Sequence, residues 1–392
     1  MPSILVLKPE HFIPTIRIHT NTLHSFSLRV NFSEHKMKKY NFYSGPAILP
    51  QEVFQQASKA VLELDNIGMS LIEISHRSKE FVAIIEEAQQ LVRELLQLDD
   101  DQKVLFLGAG ASMQFCMIPF NLLGENDTAA YLETGVWAKK AIKEAKLFGK
   151  VNIVASSAEQ NFNHIPKNYS VPADSKYFHI TTNNTIYGSQ LHAIPESPVP
   201  IVADMSSDIF WKPIDGKKFG LIYCGAQKNM GPSGVTMVVV RESLLGKVSR
   251  PIPTMLDYRN HIKDNSLHNT PCTFAIYVSM LTMRWIKKMG GLTAMEKLNE
   301  EKAKILYDEI DANPLFNGVI AKEDRSRMNV TFTINKPELE EEFATLAKNA
   351  GCIGIKGHRS VGGFRASIYN AMPKEGVQVL VDVMRDFANK KG

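Results

Sequence analysis

Seven short apolar runs, at residues 104–107, 129–132, 153–155, 177–181, 201–203, 221–224 and 235–240, most constrain what this chain can fold into. Runs so nearly continuous fit strands buried on both faces. They alternate with segments of helical period, which predicts βαβ units and an α/β fold with a mostly parallel sheet flanked by helices. The ligand site of such a sheet lies beyond the carboxyl ends of its strands, so functional residues should follow strands. Two helices are expected ahead of the sheet. After Pro50, the residues Val53, Phe54, Ala57, Ala60, Val61 and Leu64 recur at helical spacing, and Ser78 is an N-cap for a stripe running from Phe81 to Leu95.

The second half changes pattern. An unpatterned stretch at 250–270 precedes a helix at 273–289, which Gly290 and Gly291 break. The remainder reads helix, strand (329–334), helix, strand (365–369), helix, which suits a small α+β domain. The expected partition is a large domain over residues 51–290 and a small C-terminal domain over 291–392, with residues 37–50 packing on the small one. Residues 1–36 carry prolines at 2, 9 and 14, four histidines and no sustained period. They read as a poorly ordered appendage ahead of a folded chain that opens at Met37, with a transit peptide as the alternative.

Composition excludes several classes. At 392 residues, 44% hydrophobic and 22% charged, with 19 Pro and 24 Gly, the chain is neither disordered, collagen-like nor coiled coil. A net charge of +4 without long one-signed runs implies no nucleic-acid partner and leaves room for anionic small molecules. Cys116, Cys224, Cys272 and Cys352 form no close pair, which suggests neither disulfides nor a thiolate zinc site and fits a reducing cytoplasm. No apolar run approaches the ~18 residues of a membrane span.

Four segments could carry chemistry. In the string from Tyr223 to Gly234, Lys228 sits just past an apolar strand among small residues and turn formers. A lysine held there suits a buried amine of lowered pKa that forms a Schiff base, the alternative being a loop lysine that caps a carbonyl. Asp204 ends the preceding apolar strand. An acid after one strand and a lysine after the next suit pyridoxal phosphate, since the acid keeps the pyridine nitrogen protonated and the amine holds the aldehyde. Asp204 capping the following hydroxyl-rich turn is the plainer reading. The loop from Gly108 to Ser112 opens onto a helical run and suits a phosphate, although it lacks the third glycine of a dinucleotide fingerprint. Trp137 supplies an indole able to stack on a planar ring, or a core residue.

Two cationic clusters, Ser75-His76-Arg77-Ser78 and the segment from Lys356 to Ser367 with His358, Arg359 and Arg365, match carboxylate and phosphate oxygens. A basic surface loop is their alternative. His76 and His358 lack clustered partners at zinc-like spacing, so no metal is expected.

Taken together, these strings resemble the phosphoserine aminotransferase family of fold-type-I pyridoxal-phosphate enzymes. The likeness runs from Asn41-Phe-Tyr-Ser-Gly-Pro-Ala47 through Gly225-Ala-Gln-Lys-Asn229, His268-Asn-Thr-Pro271 and Arg325-Ser-Arg-Met-Asn-Val330 to Ala366-Ser-Ile-Tyr-Asn-Ala-Met-Pro373. The resemblance implies Lys228 as the Schiff-base lysine, Asp204 as the partner of the pyridine nitrogen, Trp137 stacked on the ring and Thr185 at the ring oxygen. It further implies that Ala111, Ser112 and Gln227 hold the cofactor phosphate, with Asn269 and Thr270 arriving from a partner subunit of a homodimer. Arg365 and Ser44 would bind the substrate α-carboxylate, and His76, Arg77, His358 and Arg359 the phosphate or the glutamate side chain. Ser112 stands where many relatives carry arginine.

The implied reaction moves an amino group between O-phospho-L-serine and 2-oxoglutarate in serine biosynthesis, with 4-phosphohydroxy-L-threonine, in pyridoxine synthesis, as another substrate. The residues leave two rival readings. A lyase or desulfurase needs a reactive cysteine, for which Cys224 is nearest in sequence. A non-catalytic binding protein needs a Lys228 that never meets a cofactor.

Overall fold

The central sheet of the computed structural model has seven strands in the order β2-β8-β7-β6-β5-β3-β4. The structure describes residues 38–391. In chain order these carry β1 (Tyr40–Asn41), α1 (Gln51–Leu62), α2 (Lys79–Leu96), β2 (Gln102–Leu107), α3 (Gln114–Leu122), β3 (Thr128–Glu133), α4 (Val136–Ala145), β4 (Lys150–Ser156) and β5 (Phe178–Thr181). They continue with β6 (Ile201–Asp204), β7 (Phe219–Gly225), β8 (Thr236–Arg241), α5 (Tyr258–Lys263), α6 (Thr273–Lys288) and α7 (Gly291–Ala312). The last elements are β9 (Phe316–Gly318), β10 (Asn329–Ile334), α8 (Glu340–Asn349), β11 (Cys352–Ile353), β12 (Phe364–Ser367) and α9 (Lys374–Lys391). The sequence-stated appendage at residues 1–36 lies outside the described residues.

Each apolar run became a strand of this sheet. Pairing is parallel from β4 through β3, β5 and β6 to β7, and only β8 runs against its neighbours. Alternate residues of a strand point to opposite faces. Val104 and Phe106 of β2 therefore join the cluster under α1, α2 and α6, while Leu105 and Leu107 join the one under α3, α4 and α5. The Ser78 hydroxyl accepts from Phe81 N at 3.3 Å, which caps α2 as its sequence position predicts.

Two expectations need correction. Among the described residues no α-helix stands between β4 and β8, so the later crossovers are loops and not the helices of regular βαβ units. Their Thr, Asn and Ser side chains bond to backbone and to one another, which competes with helix formation. Strand β4 is mostly exposed instead of doubly buried, because it closes one edge of the sheet without the cover that α2 and α5 give β2 at the other. The unpatterned 250–270 stretch holds the short α5, which Asp257 caps by accepting from Arg259 N.

A second hydrophobic cluster gathers α7, α8, α9 and the antiparallel β12-β10-β9 sheet. Helix α7 enters both cores, with Leu292 and Met295 in one and Leu306 and Ile310 in the other. Strand β1 pairs with β11 in parallel, so Tyr40 and Asn41 join this second region. Residues 43–50 then lead from there to α1 and pass over the sheet on the way.

Candidate active site

The chain turns outward on both sides of β3, since β4 is added at one flank and β5, β6 and β7 at the other. A crevice opens at such a reversal, beyond the carboxyl ends of the parallel strands. A cavity of ≈ 130 Å³ occupies it. Its walls come from the segments after five strands: Gly110, Ala111 and Ser112 after β2, Trp137 after β3, Asn183 and Thr185 after β5, Asp204 to Ser207 at β6, and Gln227 and Lys228 after β7. Two roomier clefts, of ≈ 500 Å³ between α1, α2 and α6 and of ≈ 550 Å³ around residues 165–169 and 190–196, include no residue that directly follows a strand of the sheet.

Lys228 Nζ donates to Thr185 Oγ1 at 2.8 Å and lies 5.8 Å from the centroid of the Trp137 ring. Burial pushes its amine down to about 8; the Asp204 carboxylate pulls it back up, and the Arg365 guanidinium pushes it down. Asp204 is 6% exposed, and one of its oxygens accepts from Ser206 N at 2.9 Å. Arg365 is also buried, and its Nη1 donates to the Thr185 carbonyl at 3.2 Å. Thr185 thus links the amine and the guanidinium through one residue.

The loop from Tyr43 to Ala47 covers the lysine. Ala47 N donates to the Gln227 carbonyl at 2.9 Å, and a Cβ on Gly45, whose φ is +145°, would stand 3.4 Å from Lys228 Cγ. Glycine there lets the loop lie directly on the lysine stem. Ser44 offers its carbonyl to the Tyr369 hydroxyl at 2.8 Å.

Other sequence-predicted residues stand farther out. His358 Nδ1 is 2.7 Å from Ser360 Oγ, and burial, then Arg365, Arg359 and Lys140, push its imidazole down. Lys140, which sequence reasoning passed over, places its ammonium 4.5 Å from the Trp137 ring centroid. His76 is pushed down by burial and then by Arg77, and its Nε2 has no hydrogen-bond partner among the described residues. His76, Arg77, Asn269 and Thr270 line no part of the cavity. Asn269 Nδ2 donates only to the neighbouring Thr270 carbonyl.

Sequence reasoning also missed the polar floor. Asn183 donates to Ser207 Oγ and to Asn329 Oδ1, each at 2.8 Å, and accepts from Ser326 Oγ at 2.5 Å. A run of Asn and Thr directly after an apolar strand was the available signal. Cys224 is fully buried, and burial followed by the Asp204 charge pushes its thiol up, so it offers no thiolate nucleophile to a desulfurase.

The donor set fits pyridoxal phosphate. The indole Nε1 of Trp137 and the Nε of Arg365 are buried without partners, and a Cβ at Gly110 would meet open space. The cavity therefore offers a carboxylate, an amine and a flat indole to a ring, with free backbone and Gln227 at its margin for an anion. Such equipment defines a pyridoxal-phosphate-dependent transferase.

Comparison with known proteins narrows the class. The family model described as aminotransferase class-V matches residues 39–380. The phosphoserine aminotransferase of Flavobacterium johnsoniae is 59% identical over 355 residues, which cover 90% of this chain and all of that one. That of Bacteroides thetaiotaomicron is 57% identical over 353 residues, 90% of this chain and 99% of the relative. The crystal structure of phosphoserine aminotransferase from Trichomonas vaginalis with bound PLP superposes with a TM-score of 0.85 at 40% identity, covering 89% of this chain and 100% of that one. The chain belongs to the class-V aminotransferases and, within them, to the phosphoserine aminotransferase family.

Proposed function

We propose that the chain exchanges an amino group between O-phospho-L-serine and 2-oxoglutarate, reversibly giving 3-phosphooxypyruvate and L-glutamate. The observation that carries this reading is the convergence of Lys228 and Asp204 on one cavity, in a chain so similar to named phosphoserine aminotransferases. Pyridoxal phosphate, when bound, supplies a ring that withdraws electrons from the substrate Cα. Asp204 would hold the proton of the ring nitrogen, and Trp137 and Thr185 would flank the ring. Lys228 would hold the group, and its Nζ at the cavity wall would take and return the proton at the substrate Cα.

Arg365 grips the α-carboxylate, with Ser44 beside it. His358 and Arg359 meet the distal anion, the phosphate of one substrate and the side-chain carboxylate of the other. The same anion pocket suits 4-phosphohydroxy-L-threonine. Asn269 and Thr270 line no part of their own chain's cavity, and on the likeness to the family we assign them to the cofactor phosphate of a partner subunit in a homodimer, and His76 and Arg77, which do not line it either, to the partner's distal-anion pocket. No helix among the described residues is long and apolar enough to cross a membrane. Four free cysteines suit the reducing cytoplasm as the place of action.

Turnover of O-phosphoserine against serine tests the substrate. A pocket whose cations are left unpaired by the uncharged analogue should favour phosphoserine by about 10²-fold or more in kcat/KM. Equal turnover of the two would remove the distal-anion assignment. Subunit sharing has its own check, since inactive Lys228→Ala chains co-expressed with inactive Arg77→Ala chains should regain partial activity as mixed dimers. Mixtures that stay silent would place Arg77 in its own chain's site.

A further inference from the structure

A second buried acid stands beside the pair assigned to the cofactor, and nothing in the proposed reaction uses it. Asp208, 5% exposed, sits in the turn that follows β6. One of its carboxyl oxygens lies 2.5 Å from Thr182 Oγ1, and the other accepts from Gln190 Nε2 at 3.1 Å. Thr182 Oγ1 is also 3.1 Å from the carbonyl oxygen of Asp204.

Hydrogen counting decides the arrangement. A threonine hydroxyl carries one hydrogen and has two lone pairs, so it donates once and accepts from a second partner. Here it stands between two oxygens. The Asp204 carbonyl, which also accepts from Thr182 N at 3.0 Å, can only accept, so each contact has a hydrogen of its own when the Asp208 carboxyl donates.

We infer that Asp208 is a neutral carboxylic acid that donates to Thr182, which donates in turn to the Asp204 carbonyl, and that this relay positions the acid opposite Lys228. Asp208 is thus a positioning residue, separated from the reacting atoms by Thr182. The inference rests on the role proposed above for Asp204.

Its surroundings favour the proton. Burial raises the Asp208 carboxyl to about 6, and the Asp204 carboxylate reinforces that rise; the bond from Gln190, the charge of Lys212 and, in the ionised form, the Thr182 hydroxyl oppose it. Lys228 and Tyr369 are the other titratable groups whose own ionisation feels Asp208, besides the buried Cys224 thiol. Below about 6 a neutral Asp208 also leaves Asp204 as the single negative charge offered to the ring nitrogen, with no second anion beside it to draw the proton off.

The test reads the proton directly. Infrared spectra of purified holoenzyme at pH 5 should contain the C=O stretch of an un-ionised carboxyl that is absent from Asp208→Asn and fades in the wild type as pH passes about 6. The Asn amide can still donate to Thr182 and accept from Gln190. After cofactor removal, with binding read at pH 5 where the wild-type carboxyl is protonated, Asp208→Asn should therefore rebind pyridoxal phosphate within about threefold of wild type, whereas Asp208→Leu and Thr182→Val should each lose about tenfold or more, the weight of one buried hydrogen bond.

Absence of a band that follows Asp208 overturns the inference. So does Thr182→Val binding like the wild type, or Asp208→Asn binding as poorly as Asp208→Leu, since the charge and not the donor would then be needed. Asp204→Asn keeps the two readings apart. Were that variant to retain full cofactor affinity and an unchanged pH profile of the visible band, the role of Asp204 would fall while the infrared band of Asp208 would still be read.

Discussion

Lys228→Ala is expected to lower amino transfer by at least about 10²–10⁴-fold, the scale of a positioned acid–base group, and to remove the covalent hold on the cofactor as well. The same lysine predicts a pH dependence. Only the neutral amine attacks an aldehyde, and burial holds this amine at about 8. Capture of pyridoxal phosphate by cofactor-free protein should therefore accelerate about tenfold per pH unit below that value and level off above it. Stopped-flow absorbance measures the rate, and borohydride reduction followed by peptide mapping locates the adduct. An adduct on any other lysine, or a capture rate that keeps rising to pH 10 like that of an ordinary surface amine, would contradict the assignment.

Lys302→Met should cost about 1–3 kcal/mol of folding stability when measured near pH 10. Lys302 on α7 is fully buried, and its amine donates to the carbonyls of Ile368 at 2.9 Å and Tyr369 at 2.7 Å. Methionine fills the same space and donates nothing, so the Ile368 carbonyl loses its partner at about 1–3 kcal/mol, while the Tyr369 carbonyl keeps the bond from Met372 N at 2.9 Å. Burial lowers the amine to about 7, against 10.5 for an exposed lysine. Between those values the unfolded chain binds the extra proton, so the wild type gains stability as pH rises from 7 toward 10.5. The variant lacks that gain, and the gap between the two should widen across this window in urea melts. A gap that stayed constant with pH would mean that the buried amine is fully charged throughout. The affected carbonyls directly follow β12, which carries Arg365, so looser binding of substrate carboxylate should accompany the loss.

Much of this architecture was legible in residue order, for physical reasons that differ from element to element. The runs that became β2, β3 and β5 to β8 stood out because burial on both faces removes polar residues from them. Lys228 stood out because a long cationic side chain among Gly, Ala and Asn after such a strand has no ordinary surface role. The edge strand β4 looked like the others, since its exposure depends on having neither a neighbour nor a cover beyond it, which no local pattern records. Strands β1, β9 and β11, at two or three residues, are too short to show a period of two. Asp208 was hidden for another reason. Its meaning lies in Thr182 and Gln190, brought to it from another loop, and a single acid in a Ser-rich turn resembles a helix cap. Asn269 and Thr270 carry no local signal either, and their roles came from likeness to a family alone.

The parallel pairing of β1 with β11 has a bearing on biosynthesis. The loop that rests on Lys228 is held at one end by a strand that joins a partner near the tail of the chain. During translation the central sheet leaves the ribosome before residues 352–353, so a chain cut ahead of them would carry the strands of the crevice without the pairing that anchors its cover.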